Sequence, residues 1–242
     1  MKYTGLWVGG LCLLCACSSP QKAPIDYVDP FIGTGFHGHT YPGATAPFGA
    51  VQLSPDTRRG NWDASSGYHY SDSTILGFSH THLSGTGCQD LGDVLLRPTT
   101  QPVRTGGEGD IFLPAAFSHD SEKACPGYYA VTLADEQIKV ELTASTFAGM
   151  HRYSFLNDKD ASVIVDLTHI LNTDDFIYEA EVKQTADNEL VGMRRTRSWV
   201  DNQYIYFVLQ FSKPIQELQQ INEKQVVARF GQERELIAKV GL

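Results

Sequence analysis

Basic residues are scarce in this sequence of 242 residues, which has 19 Lys and Arg against 28 Asp and Glu and a formal net charge of −9. No cluster of Lys or Arg stands out along the chain. Because nucleic acids and anionic membrane surfaces attract concentrated positive charge, neither is expected as a partner. Apolar residues are plentiful: 42% of the residues are hydrophobic and 11% are aromatic. This composition supports a sizeable core and argues against wholesale disorder.

Long apolar runs are also lacking, and the N-terminus carries only a short one. Leu6 to Ala16 follows the positive charge of Lys2 and is too short to span a bilayer. The run ends in Leu14-Cys15-Ala16-Cys17, which resembles the lipobox of bacterial lipoproteins. We therefore predict a lipoprotein signal peptide at 1–16, a lipidated Cys17 and a flexible tether over 17–26. The expected location is a membrane, reached through the lipid anchor of an exported bacterial lipoprotein; a cleaved signal without lipid is the alternative.

Cysteine is sparse beyond this leader, where only Cys88 and Cys125 remain. An exported protein is in a compartment that permits a disulfide, but two cysteines in so large a domain do not require one.

Helical periodicity is missing from the second half of the chain. From Gly127 onward, segments rich in β-branched and aromatic residues alternate with polar turns such as Asp187-Asn188. The region from Gln225 to Val240 predicts either two more strands or a strand followed by a helix. The pattern predicts an all-β, antiparallel β-sandwich. The predicted strands are Tyr128 to Leu133, Ile138 to Ala144, Met150 to Phe155, Ala161 to Leu167, Ile177 to Gln184, Glu189 to Arg197 and Tyr204 to Phe211.

The first half, from Tyr27 to about Thr105, is dense in Gly, Pro, His, Ser and Thr. Strands are predicted there only at Phe48 to Leu53 and at Asp93 to Leu96, and 105–110 is predicted to be a flexible surface loop. Long Gly-rich loops that also carry large aromatic residues are expected to be ordered and functional.

Two histidines in these loops suggest a metal site. His80 and His82 are two positions apart and would share one face of a strand. A metal would need a third ligand, for which the nearby candidates are Asp90, Asp93, His37 and His39. The alternative is that the histidines line a pocket or hold loops together through hydrogen bonds.

Other polar residues of the loops allow two interpretations each. The carboxylates could supply a general acid and a general base, or they could cap turns, as Asp in Gly-rich loops commonly does. Cys88 could be a nucleophile or a pocket-lining thiol, and no Gly-x-Ser-x-Gly motif supports a serine hydrolase. The carboxylates concerned are Asp56, Asp63, Asp90 and Asp93.

Trp62 and Tyr68 could form a platform for a sugar or belong to the core. Trp62 follows Gly60 and Asn61 in a polar stretch, which favours exposure in a cleft. An indole there would offer a flat apolar face to a sugar ring and an N–H to a hydroxyl.

Several stretches together resemble the N-terminal domain of glycoside hydrolase family 92, the exo-acting α-mannosidases. The longest is Gly77-Phe-Ser-His-Thr-His-Leu-Ser-Gly-Thr-Gly-Cys88. The resemblance extends over about Ile25 to Leu242 and marks 27–242 as that N-terminal domain. The shorter stretches are Asp29-Pro-Phe-Ile-Gly-Thr34, Tyr41-Pro-Gly-Ala-Thr45, Pro47-Phe-Gly49, Gln52-Leu-Ser-Pro-Asp56 and Ser66-Gly-Tyr68.

The resemblance implies a supersandwich of the galactose-mutarotase-like type, followed in the family by a C-terminal (α/α)6 catalytic barrel. Family members remove terminal α-mannose with inversion and need calcium, and their acid, base and most calcium ligands lie in the barrel. The expected partners are therefore α-mannosides or mannose-containing glycans and the missing catalytic domain. Trp62 is the best candidate for contact with substrate, followed by Gly33 with Thr34 and by Ser84 with Gly85.

Three functions are therefore carried forward. In the first, the chain is the pocket-wall domain of an inverting exo-α-mannosidase, truncated at Leu242 and inactive alone. In the second, it is a free-standing carbohydrate-binding lipoprotein. In the third, it is a metal-dependent hydrolase that uses His80 and His82.

Overall fold

The structure is a computed structural model and describes residues 22–103, 113–174 and 176–242. The predicted signal peptide, Cys17 and the predicted loop at 105–110 lie outside the described residues. At the end of the predicted tether, Pro24–Tyr27 forms a 3-10 turn. None of the helices within the described ranges has the length and apolar character needed to cross a membrane.

The chain forms strands joined by loops, with two further 3-10 turns at Trp62–Ala64 and His119–Ser121. The strands of the first half are short, and those of the second half are long. In chain order they are β1 Ala44–Thr45, β2 Gln52–Asp56, β3 Thr74–Ile75, β4 Gly77–Ser79, β5 Leu95–Thr99, β6 Ala115–Ala116, β7 Lys123–Cys125, β8 Tyr128–Leu133, β9 Ile138–Ala144, β10 Ala148–Phe155, β11 Ala161–Asp166, β12 Phe176–Ala186, β13 Glu189–Arg197, β14 Gln203–Phe211, β15 Glu217–Asn222, β16 Gln225–Gly231 and β17 Glu235–Gly241.

Two large antiparallel sheets contain nearly all of these strands. The seven-stranded sheet has the order β1-β2-β4-β5-β11-β16-β15, and the eight-stranded sheet has the order β12-β13-β14-β17-β10-β9-β8-β7. A small third sheet pairs β3 with β6. The predicted all-β antiparallel sandwich is confirmed.

Alternation of side chains explains how the long strands bury one face. In β14, Phe207, Leu209 and Phe211 are buried, whereas Tyr206 and Val208 on either side of Phe207 are exposed. The buried side chains of both sheets form one large hydrophobic cluster. Strand β11 differs, because all of its residues are buried between β5 and β16. Ile164 of β11 forms a second, smaller cluster with Val227 of β16, against which Val103 and Ile221 pack.

The predicted strands of the second half are confirmed, with β8, β9 and β13 at the predicted bounds. The region after Gln225 forms two strands, not a strand and a helix. In the first half, the bounds were wrong by several residues. Phe48 has a φ of +57° and Val94 has a φ of +54°, both in the left-handed region. Neither residue can continue an extended strand, so β2 and β5 begin after them.

Candidate functional site

Trp62 begins a 3-10 turn that its neighbours hold in place. The side chain of Asn61 caps the turn by accepting a hydrogen bond from the backbone N–H of Asp63 at 2.9 Å. The next bond of the turn runs from the N–H of Ser65 to the carbonyl of Trp62 at 3.1 Å. The polar sequence before Trp62 therefore forms a capped turn that projects the indole.

The indole of Trp62 is 54% exposed, as the polar stretch around it predicts. Its Nε1–H donates to the carbonyl of Gly87 at 2.9 Å. The imidazole of His39 packs against the ring edge-on, with 4.3 Å between centroids. The expectation that this N–H bonds a sugar hydroxyl is wrong for this arrangement, because Gly87 already accepts it. The imidazole of His37 also lies 5.2 Å from the ring, centroid to centroid, and the exposed half of the indole is what Trp62 offers.

Three segments distant in sequence meet around this indole. His37 Nδ1 lies 2.5 Å from Asp63 Oδ1, and this contact joins the segment of His37 and His39 to the Trp62 turn. The N–H of Gly85 donates to the carbonyl of His39 at 2.6 Å, and this bond joins the segment of Gly85 and Gly87 to the segment of His37 and His39. Gly87 has a φ of +63°, and a Cβ there would lie 3.0 Å from His39 Nδ1. The positive φ and this close approach both favour glycine.

The other residues predicted to contact substrate differ in their exposure to solvent. Ser84 and Gly85 are exposed beside the Trp62 turn, whereas Thr34 is buried. The hydroxyl of Thr34 donates to the carbonyl of Phe31 at 2.8 Å, and Gly33 has a φ of +85°. Gly33 and Thr34 therefore shape the loop that ends in His37 and His39, and the side chain of Thr34 does not face solvent.

His82 and Asp56 form a fully buried pair. His82 Nε2 lies 2.7 Å from Asp56 Oδ1, and His82 Nδ1 lies 2.7 Å from the carbonyl of Gln52. His169 Nε2 lies 2.8 Å from Asp56 Oδ2 on the other side. Burial raises the pKa of Asp56, but His82 and His169 outweigh it and hold the pKa well below its usual range. Asp56 is therefore a buried carboxylate between two imidazoles.

This cluster contains serine, histidine and aspartate but lacks the geometry of a catalytic triad. Ser79 Oγ lies 3.0 Å from His82 Nε2, which is the same nitrogen that contacts Asp56. A triad needs the serine and the carboxylate on opposite ring nitrogens. All three side chains are also buried, so no substrate reaches them. The cluster holds the loop after β4 against β2.

His80 points into the core instead of sharing a site with His82. Its Nδ1–H donates to the carbonyl of Val94 at 2.6 Å, and its Nε2 lies 3.0 Å from His151 Nε2. The hydroxyl of Tyr153 lies 2.9 Å from His151 Nδ1 and completes the chain. Burial lowers the pKa of His80 to about 4 and holds the pKa of His151 well below its usual range. Both imidazoles are therefore neutral near pH 7, and they join the loop after β4 to β10.

The remaining carboxylates of the loops also have structural partners. Asp90 accepts from the backbone N–H groups of Leu91 at 2.7 Å and of Trp199 at 3.3 Å. Asp93 lies 3.4 Å from the guanidinium of Arg194 and accepts from Thr81 at 2.7 Å. These contacts fit the interpretation that the carboxylates order turns.

Tyr68, the other candidate for a sugar platform, is part of the core. Its side chain is fully buried, and its hydroxyl donates to Glu122 at 3.0 Å. Of the two aromatic residues, only Trp62 presents a face to solvent.

Comparison with known proteins gives this assembly a context. Residues 27–240 match the glycosyl hydrolase family 92 N-terminal domain. The chain belongs to this family. A family 92 α-mannosidase from Bacteroides thetaiotaomicron, solved in complex with mannoimidazole, is 32% identical to the family 92 domain and superposes with a TM-score of 0.81. That match covers 90% of this chain and 32% of that protein.

Two further proteins are similar to the family 92 domain. A second solved family 92 glycosyl hydrolase is 28% identical, with a TM-score of 0.75 over 90% of this chain and 32% of its own. A protein of Arthroderma benhamiae, described as an uncharacterized secreted glycosidase, is 30% identical over 70% of this chain and 23% of its own length. The family 92 domain thus spans about a third, or less, of the relatives that it matches.

Calcium, which the resemblance implied, finds no site among the described residues. Those residues contain no group of three or more His, Cys, Asp or Glu side chains that could hold a metal ion. At Asp56 the neighbouring groups are imidazoles, whereas calcium prefers oxygen ligands. His80 and His82 each bind separate partners, so the ligand pair that the metal-hydrolase hypothesis needs is not assembled.

Sequence reasoning missed one pocket of the family 92 domain. It has a volume of about 690 Å³ and is lined by Phe176, Tyr178 and Trp199, with Cys88 and Gln89 on the side of the Trp62 loops. We call it the aromatic pocket. Trp199 stands in a polar stretch, between Ser198 and Asp201, so the criterion that singled out Trp62 would also have found it.

Proposed function

We propose that this domain forms one wall of the sugar-binding site of an exo-acting α-mannosidase and is inactive alone. The observation that supports this most is the exposed indole of Trp62, held where three separate segments of the first half of the chain meet. An aromatic face of this kind stacks against the C–H side of a pyranose ring. Ser84 and Gly85, exposed beside it, would approach the same sugar.

The domain's own residues would bind and orient the terminal mannose. Inverting hydrolysis needs one carboxylic acid at the leaving oxygen and one carboxylate that activates water, on opposite sides of the ring. Asp56 is buried, Asp63 pairs with His37, and Asp90 and Asp93 are engaged by backbone and guanidinium groups. We therefore propose that both catalytic carboxylates come from outside these loops, from the family's catalytic domain.

Calcium and export belong to the same proposal. Any calcium would be held by groups outside the described residues and would contact mannose hydroxyls. Export is supported by the relative described as a secreted glycosidase and by the leader-like N-terminus, in which Cys17 would carry the lipid.

An activity assay tests the proposal. The purified 242-residue chain, incubated with calcium and an α-linked mannobiose, should release no mannose above the blank. Turnover that is abolished by His80→Ala or Asp90→Ala would contradict the proposal and support a hydrolytic site within this chain. A variant with Asp158→Ala serves as the control, because the side chain of Asp158 is 85% exposed and pairs with Arg234, away from the loops that carry the family motifs.

A further inference from the structure

The aromatic pocket has the composition of a carbohydrate site. Trp199 is 70% exposed, Phe176 is 60% exposed and Tyr178 is 44% exposed. Large rings exposed together in one concave surface mark a site of interaction, since rings without such a role are normally buried. The volume of about 690 Å³ lies in the range of small-ligand pockets.

Polar groups around the rings suit a neutral, polyhydroxylated ligand. Gln89 and Asn172 bring amides, which both donate and accept hydrogen bonds as hydroxyl groups require. Asp174 and Arg197 bring one charge of each sign, so the lining does not select an anion or a cation.

The backbone of Trp199 and the rings of Phe176 and Tyr178 have partners within the domain. The buried carboxylate of Asp90 accepts from the backbone N–H of Trp199 at 3.3 Å. Phe176 pairs with Arg197 at the end of the β12–β13 ladder, and its ring lies 5.3 Å from that of Tyr178. The guanidinium of Arg195 lies 4.8 Å from the centre of the Tyr178 ring. A site with ordered rings loses little conformational entropy on binding.

Two backbone connections place the aromatic pocket beside Trp62. Cys88, which lines the pocket, follows Gly87, whose carbonyl accepts the Trp62 indole N–H. The N–H of Gly60 donates to the carbonyl of Leu171 at 2.8 Å, next to Asn172 of the pocket. A ligand that extends from Trp62 towards Gly87 and Cys88 would therefore reach the aromatic pocket.

We propose that the aromatic pocket binds the inner units of a mannose-containing oligosaccharide, beyond the terminal unit that contacts Trp62. The identity of the ligand as a mannose chain rests on the proposed function, whereas its class as a carbohydrate rests on the pocket itself. The site gives the domain a preference for longer glycans over the free monosaccharide.

Calorimetric titration of the 242-residue chain with an α-linked mannotriose and with mannose tests this proposal. Trp199→Ala and Phe176→Ala should each weaken mannotriose binding by about tenfold, the equivalent of about 1.4 kcal/mol, and leave mannose binding unchanged. Trp62→Ala should weaken the binding of both ligands. Phe147→Ala, which removes an equally exposed ring from the turn between β9 and β10, is the matched control and should change neither.

The outcomes separate the two proposals. If Trp199→Ala and Phe176→Ala both bind mannotriose as the parent does, or if the parent binds none at millimolar concentration, the pocket proposal is overturned. If both variants lose mannotriose binding while Trp62→Ala keeps that of mannose, the pocket stands and the role of Trp62 falls. Thermal melts of every variant establish that each protein is folded, and the exposure of Trp199 predicts that its melt is unchanged.

Discussion

Trp62 and Asp56 lie close together in the sequence and in the same kind of Gly-rich segment, yet one is exposed and the other is fully buried. The polar neighbours of Trp62 predicted its exposure. No such signal distinguished the carboxylates, because Asp caps a turn, pairs with a cation or lines a site with equal ease. Asp56, Asp63, Asp90 and Asp93 acquired their roles from partners that are distant in sequence, such as His169 and Arg194.

The burial of Asp56 leads to a prediction for stability. Asp56→Ala leaves His82 and His169 buried without their carboxylate, and we expect the free energy of unfolding to fall by about 3–5 kcal/mol. Asp63→Ala removes a half-exposed partner of His37 and should cost less than about 1 kcal/mol. Denaturant titration of both variants measures the difference. Equal, small losses would show that the buried cluster contributes little.

At the scale of the strands, the second half of the chain could be predicted and the first half could not. Long strands such as β8, β9 and β13 alternate between a core face and a solvent face, and their sequences show it. Edge strand β15 was missed because its Glu, Gln and Asn residues show no clear alternation of burial. The short strands β1 and β3 have two residues each, too few for any periodicity.

The link between the loop after β4 and β10 predicts acid sensitivity. His80 has a pKa of about 4 in the folded protein against 6.5 as the ordinary value, and the pKa of His151 is also lowered. The unfolded chain therefore binds more protons below pH 6.5, and the free energy of unfolding decreases as the pH falls. Each histidine contributes about 1.4 kcal/mol per pH unit in this window, until its folded-state pKa is reached.

Denaturant titrations at several pH values between 7.5 and 4.5 measure this slope. His151→Gln removes one of the two buried titrating rings and should reduce the slope. A stability that stays constant from pH 7.5 to 4.5 would mean that the two buried histidines do not control the response to acid.

At the scale of the whole molecule, the sandwich is a frame that brings loops of the first half together. The family motifs surround β1, β2, β4 and β5, which are consecutive in the seven-stranded sheet. The sequence motifs identified the family and the Trp62 segment. They did not identify the aromatic pocket, because its rings come from the start of β12 and from the loop after β13, outside the motifs.

The N-terminal sequence predicts that a lipid anchors the domain to a membrane. Leu14-Cys15-Ala16-Cys17 after a short apolar run should direct lipidation of Cys17. Mass spectrometry of protein extracted from membranes should find a diacylglyceryl Cys17 as the first residue, and Cys17→Ser should abolish the modification. A mature protein that begins elsewhere and needs no detergent would contradict the lipoprotein prediction.

The central claim is that the exposed face of Trp62 contacts the mannose that the enzyme removes. The most direct measurement is kcat/KM for an α-mannoside, together with the thermal melt, of a polypeptide that joins this domain to the family's catalytic domain. Trp62→Ala should lower kcat/KM by more than tenfold, which is about 1.4 kcal/mol, and leave the melting temperature nearly unchanged because the ring is 54% exposed. Trp62→Phe, which keeps a flat apolar face, should retain most of the activity. A large fall in melting temperature with unchanged kcat/KM would show instead that Trp62 is a packing residue.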